Sequence, residues 1–174
     1  EHESVTPDIL CLAKGLTGGS MPLAVTMASA PIFDAHCSAD RSRQFFHSSS
    51  YTANPIACAA ANANLAIWRD EPVLQRIATL AAREAAGVAR IAARPEITNL
   101  RQSGSIIAFD IVVADAGYLS QLGPRLLASF NQQDILLRPL GNTIYLMPPY
   151  CLSQADLDAI FAAIETAIET ALDQ

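Results

Sequence analysis

Short apolar runs punctuated by glycine and proline fill the first third of this chain, and longer runs with helical spacing dominate the rest. "PDILCLAKG" reads as a buried strand over residues 9–13, entered through Pro7 and left at Gly15. Lys14 closes that strand. "MPLAVTMAS", residues 21–29, is a second apolar run with two β-branched members, bounded by glycine and proline, and it predicts another strand. Residues 38–53 are polar and serine-rich without an apolar period, which makes them a loop. At Asn54-Pro55 a helix should begin, because asparagine caps well and proline suits the first helical position; it runs to about Trp68.

The polar break "RDEP" follows and is taken as a domain junction. Residues 73–93 then place Leu74, Ile77, Leu80, Ala81, Val88 and Ile91 at helical spacing until Pro95 stops the pattern. Beyond it the pattern predicts a strand at "SIIAFDIVV", a helix near residues 117–133, a strand at "DILLRPL" and a short strand at "TIYLMP". The last helix starts at Ser153, where Ser153 and Asp156 form a capping box. Its stripe is Leu157, Ile160, Phe161, Ile164, Ile168 and Leu172. Strands alternating with helices set the class as α/β or α+β.

Composition narrows the function. A chain of 174 residues can bury a core, and 51% apolar with 16% charged residues argues against disorder. The net charge of -6 comes with scattered arginines and no basic run, so a nucleic-acid footprint is missing. Cys11, Cys37, Cys58 and Cys151 lie far apart, with no CxxC pair and no histidine at ligand spacing, and are expected to be reduced packing residues with no metal site. No run approaches the roughly 18 apolar residues of a membrane span, and the first residues lack the basic and apolar regions of a signal peptide. A cytoplasmic protein is expected. The chain has no initiator methionine and enters an apolar run within eight residues, so a piece of a longer protein is expected too.

Three stretches can carry chemistry. Lys14 is the only lysine among 11 formal positive charges, and it lies between an apolar run and a glycine pair. A lysine amine is a nucleophile only when neutral, and partial burial favours that form; the plainer reading is an ammonium that snorkels to solvent from a strand end. A phosphate-cradling Walker loop is excluded, since its lysine follows the glycines. In "HSSSYTANP" three serines, a tyrosine and a threonine precede a helix N-terminus, where a phosphate could dock or where an ordinary Asn-Pro cap could suffice. In "LLRPLGNTIYLMPPY" Arg138 is a lone charge in an apolar strand held extended by Pro139, suited to bidentate capture of a carboxylate or to a structural salt bridge. Tyr145 could line a pocket there or merely pack.

Together, "PDILCLAKGLTGG", "YTANPIACAAANANLAIW" and "RPLGNTIYLMPPY" resemble the class III pyridoxal-phosphate aminotransferases, in the same order and across the whole chain. The resemblance implies the fold type I architecture of pyridoxal-phosphate-dependent transferases, with residues 1–69 closing the large cofactor domain and residues 70–174 forming the small domain. It makes Lys14 the lysine that binds pyridoxal 5'-phosphate covalently and later moves the proton. The family's phosphate-binding hydroxyl, supplied to the neighbouring subunit of a homodimer with shared active sites, falls five residues before the proline of the "NP" pair, at Ser50. Relatives usually carry threonine there; serine keeps the hydroxyl without the methyl that restricts its rotamer. Arg138 matches the arginine that pairs with the substrate carboxylate, and Tyr145 falls where that pocket is lined.

The "IYLMPPY" segment points to the family's biotin-pathway branch. That branch implies transamination of 8-amino-7-oxononanoate to 7,8-diaminononanoate, with S-adenosylmethionine as the usual amino donor. Another class III enzyme acting on an ω-amino acid or a diamine, or a non-catalytic relative, are the alternatives. The family's glycine-serine phosphate loop, its ring-stacking aromatic residue and the aspartate that pairs with the pyridine nitrogen would precede residue 1. The 174 residues alone are therefore not expected to transaminate.

Overall fold

A computed structural model describes residues 4–47 and 49–172. The chain divides into two compact units, one up to Glu71 and one from Pro72 onward.

In the first unit, β1 (Ile9–Leu12) pairs antiparallel with β2 (Val25–Ala28), Ile9 opposite Ala28 and Leu12 opposite Val25. The second strand is shorter than the apolar run that predicts it, because Pro22 lacks a donor and the run before Val25 stays outside the ladder. A single 3-10 turn, Lys14–Thr17, follows β1 directly. A short helix, α1 (Ala30–His36), was not anticipated by the sequence pattern; it carries Pro31 in its first turn and buries no residue. The serine-rich stretch is a loop apart from one 3-10 turn at Arg41–Arg43, and Ser48 lies outside the described residues. Helix α2 (Pro55–Asp70) begins where the Asn-Pro signal places it: Asn54 Oδ1 accepts from the amides of Ile56 (3.0 Å) and Ala57 (3.2 Å). Ala57 and Ala61 are its buried positions, and its buried side meets the Lys14 turn.

The second unit holds the core. β3 (Ile97–Ser103), β4 (Ile106–Ile111) and β5 (Thr143–Leu146) form an antiparallel sheet in that order, covered by α3 (Val73–Ile91), α4 (Leu122–Gln132) and α5 (Gln154–Leu172). Ile107, Phe109 and Ile111 on β4 and Ile144 and Leu146 on β5 alternate inward and pack with Leu126, Phe130, Phe161, Ile164 and Ile168. The Ser153–Asp156 capping box forms as expected: Ser153 N donates to Asp156 Oδ2 at 3.1 Å and Asp156 N donates to Ser153 Oγ at 3.1 Å.

Four expectations change. "DILLRPL" is not a strand: Asp134 stands in the left-handed region (φ 56°) and stops α4, with Ile135 N bonded to Phe130 O at 3.0 Å. The segment then runs extended, with Ile135 and Leu137 against the core and Leu136 and Arg138 exposed, touching the ladder only at Leu140 and Thr143. β3 went unforeseen because it is an exposed edge strand in which only Ile97 is half-buried, so no apolar alternation marks it. In α3, Leu74 faces solvent, while Val73, Glu84 and Gly87 join the buried side. Cys11, Cys37 and Cys151 are exposed free thiols instead of packing residues, Cys58 alone being half-buried.

Candidate active site

The strand-end lysine sits on a tightly specified loop. Lys14 adopts φ 48°, a left-handed conformation that costs a residue with a Cβ roughly 1 kcal/mol and persists only when its surroundings hold it. Several groups do so. Leu16 N donates to Ala13 O (3.1 Å), Gly18 N to Gly15 O (3.2 Å) and Gly19 N to Lys14 O (3.3 Å). Gly18 (φ 61°) and Gly19 (φ 81°) supply the left-handed exit that residues with side chains resist. The buried Thr17 hydroxyl donates to Met21 O at 2.6 Å, and Ser20 Oγ donates to Thr17 O at 2.8 Å.

One contact ties this loop to a distant part of the chain. Asn64, in the middle of α2, donates from Nδ2 to Gly15 O (2.8 Å) and Leu16 O (3.2 Å). Its role was not read from the sequence, although an asparagine inside an alanine-rich helix is a weak helix former that gains little there without a partner.

Lys14 itself is exposed, and its amine has no partner among the described residues. Among the described residues its apolar neighbours do not enclose it: Ile9, Leu10 and Leu12 lie on a two-stranded sheet and are themselves exposed. Ser50 lies in the turn closed by Thr52 N to Ser49 O (3.0 Å), exposed and likewise without a partner for its hydroxyl among the described residues. Helix α2 spans the interval between the two: Ser50 precedes its first turn, and the Lys14 loop meets it at Asn64, nine residues after Pro55 and so about 14 Å along the axis. At the α2 N-terminus Asn54 Oδ1 accepts from the amides of Ile56 and Ala57, so the expected cap is formed.

Arg138 and Tyr145 belong to the second unit. Arg138 is exposed and forms no ion pair among the described residues, so the salt-bridge reading has no partner there. The turn after it is rigid. Leu140 N bonds to Thr143 O (2.9 Å) and Thr143 N to Leu140 O (3.0 Å), and a Cβ on Gly141 (φ 59°) would lie 1.9 Å from Gly117 O. Asn142 fastens it further, donating from Nδ2 to Ile111 O (2.8 Å) and accepting from Gly117 N (2.7 Å). Tyr145 is half-buried on β5 opposite Ala108, on the sheet face away from Ile144 and Leu146. A depression of about 770 Å³ lies elsewhere in this unit, between α3 and the start of α5, lined by Ala82, Arg83, Ala86, Gly87, Arg90 and Asp158 among others; it contains none of the candidate residues.

The family model for class-III aminotransferases matches residues 1–168. The chain belongs to the class-III aminotransferases. This class-III chain is 40% identical over 169 residues to the adenosylmethionine-8-amino-7-oxononanoate aminotransferase of Synechococcus elongatus, covering 97% of this chain and 39% of that protein. Among solved structures, the adenosylmethionine-8-amino-7-oxononanoate aminotransferase of Methanocaldococcus jannaschii superposes with a TM-score of 0.87 at 29% identity, over 95% of this chain and 39% of that one. An amine transaminase from an uncultivated Pseudomonas species, solved in its pyridoxal-phosphate-bound form, gives 0.83 at 31% identity, over 96% and 39%. The chain thus spans about two fifths of the length of these relatives and shares their mixed α/β fold.

Pyridoxal phosphate asks for a primary amine at its aldehyde and for hydrogen-bond donors at its phosphate. Lys14 and Ser50 offer an amine and a hydroxyl, both exposed and uncommitted among the described residues, so this chain's donor set fits the group.

Proposed function

We propose that the complete protein is a pyridoxal-phosphate-dependent aminotransferase that converts 8-amino-7-oxononanoate to 7,8-diaminononanoate for biotin synthesis in the cytoplasm. The observation that supports this reading is the match over 97% of this chain to a relative of that name, with the chain's only lysine standing on the strained, multiply bonded loop after β1. We assign residues 1–69 to the large cofactor domain and residues 70–174 to the small one.

Bound pyridoxal phosphate supplies an electron sink that lets a proton leave the carbon bearing the transferred amine. Lys14 Nζ would hold that group through its aldehyde carbon and, once released, take the proton from the donor's amine-bearing carbon and return it to the acceptor's former carbonyl carbon. Ser50 Oγ would donate to the phosphate held by the neighbouring subunit of a homodimer. A hydroxyl displaced along α2 from the Lys14 loop suits service to another chain's site. Arg138, free of any described ion pair, would bind the carboxylate of the keto substrate in bidentate fashion, with Tyr145 lining that end. S-adenosylmethionine is the proposed donor.

The test uses the full-length protein with both substrates and each singly varied donor. Borohydride reduction should fix the cofactor on the peptide containing Lys14, and Lys14→Ala should lower kcat at least about 10²- to 10⁴-fold, the range of a lost general base. A reduced label on any other residue, or turnover that survives Lys14→Ala, overturns the assignment. The likeness to the Pseudomonas amine transaminase favours a second reading, in which an ω-amino acid or simple amine is the better substrate. A higher kcat/KM for such amines than for the biotin-pathway pair would select it.

A further inference from the structure

Asn64 is a polar residue on the side of α2 that buries Ala57 and Ala61, and its amide hydrogen-bonds across to the Lys14 loop. Two features make the contact more than a fastening. First, it lands on consecutive carbonyls immediately after Lys14: Gly15 O, which also accepts from Gly18 N within the 3-10 turn, and Leu16 O, one residue further on. One primary amide, with two hydrogens on one nitrogen, can serve both; a carboxylate at the same place would face two carbonyl oxygens with no proton to give. Second, the loop it braces holds Lys14 at φ 48°, a conformation with a standing tendency to relax. A peptide that relaxed there would swing the Lys14 Cα–Cβ bond and move a long, flexible amine away from its target.

The fit is close on the other side of the amide as well. A Cβ on Gly18 would stand 3.4 Å from Asn64 Oδ1, so the left-handed residue that turns the chain out of the loop lies against the same carboxamide. Asn64 therefore hydrogen-bonds the turn at Gly15 and Leu16 and leaves little room for a side chain at its exit, Gly18.

We propose that Asn64 is a positioning residue for Lys14: by bridging the carbonyls of Gly15 and Leu16 it holds the left-handed turn that directs the lysine amine. This rests on the reading of Lys14 as the covalent attachment point. Asn64 acts through the backbone and touches no reacting atom.

The experiment uses the full-length protein, stripped of cofactor and mixed with pyridoxal phosphate, with the Lys14 peptide quantified after borohydride quenching at successive times and pH values. Asn64→Ala should slow labelling of Lys14 about tenfold, the worth of one such hydrogen bond, and shift the pH profile of labelling. Asn64→Asp should slow it further, while Asn64→Gln, which keeps the carboxamide, should recover most of the rate. Circular dichroism melts run in parallel separate positioning from mere stability. Labelling at the wild-type rate with an unshifted pH profile in folded Asn64→Ala or Asn64→Asp overturns the proposal. So does a set in which every variant, Asn64→Gln included, fails to fold, because the residue is then structural. If the wild-type protein itself carries no label on Lys14, the reading of Lys14 fails, and that outcome is told apart from the others by the control alone.

Discussion

Glu84 shows how far a single residue can depart from its pattern. It occupies a core-facing position on α3, fully buried, and neither carboxyl oxygen has a hydrogen-bond partner among the described residues. Burial pushes its pKa up from 4.5 to about 7. The folded state therefore retains a proton that the unfolded chain has released between those two values, and stability should fall as pH rises from about 4.5 to about 7. Glu84→Gln should flatten that slope and raise stability at pH 8 by about 1 to 3 kcal/mol, read from urea melts at a series of pH values. A wild-type melt that gains stability across that window would show that the carboxyl is charged and paired. At the same scale, Arg138→Ala in the full-length protein should raise KM for the keto substrate about 10- to 100-fold, matching the loss of a charge-assisted pair, with a smaller change in kcat. Steady-state kinetics with KM unmoved would remove the carboxylate from Arg138.

Between elements, the close approach of α3 and α5 depends on Gly87. A Cβ there would come within 2.1 Å of the Phe161 ring, and Phe161 is fully buried, so the ring has nowhere to swing. Two effects oppose each other in Gly87→Ala: alanine improves helix propensity by about 1 kcal/mol, and overpacking costs about 1 to 3 kcal/mol or more. Overlap this deep with three ring atoms puts the cost at the upper end, so the variant should lose about 1 to 2 kcal/mol in a denaturant melt. The guanidinium of Arg90 lies 5.7 Å from the same ring centroid and within 3.5 Å of Asp158 Oδ1, closing the outer side of the contact. On α2 the logic is reversed: small residues at Ala57 and Ala61 bury without bulk, and the specificity of the contact comes from a polar side chain, Asn64.

Across the whole molecule the two units differ in what holds them. The second has a continuous core under its sheet, whereas Ile9, Leu10, Leu12, Val25 and Met27 of the first remain exposed on both faces of a two-stranded ladder. Hydrogen exchange on the 174-residue chain should therefore protect amides of β4, β5 and α5 far longer than those of β1 and β2. Equal protection in both sheets would mean that the first unit is stabilised by something other than its own packing.

Much of this was legible beforehand where a residue type has one local use. The Asn54-Pro55 start of α2, the Ser153–Asp156 box, the alternation of β4 and the stripe of α5 were all readable, because capping and periodic burial depend on neighbours a few residues away. So was the family, through Lys14 and the stretches around Ser50 and Arg138. The sequence could not give the edge strand β3, the helix stop at Asp134, the burial of Glu84 or the bridge from Asn64 to the Lys14 loop. Each of these depends on which surfaces meet across tens of residues, and only the folded chain, with α2 brought against a turn some fifty positions earlier, decides that.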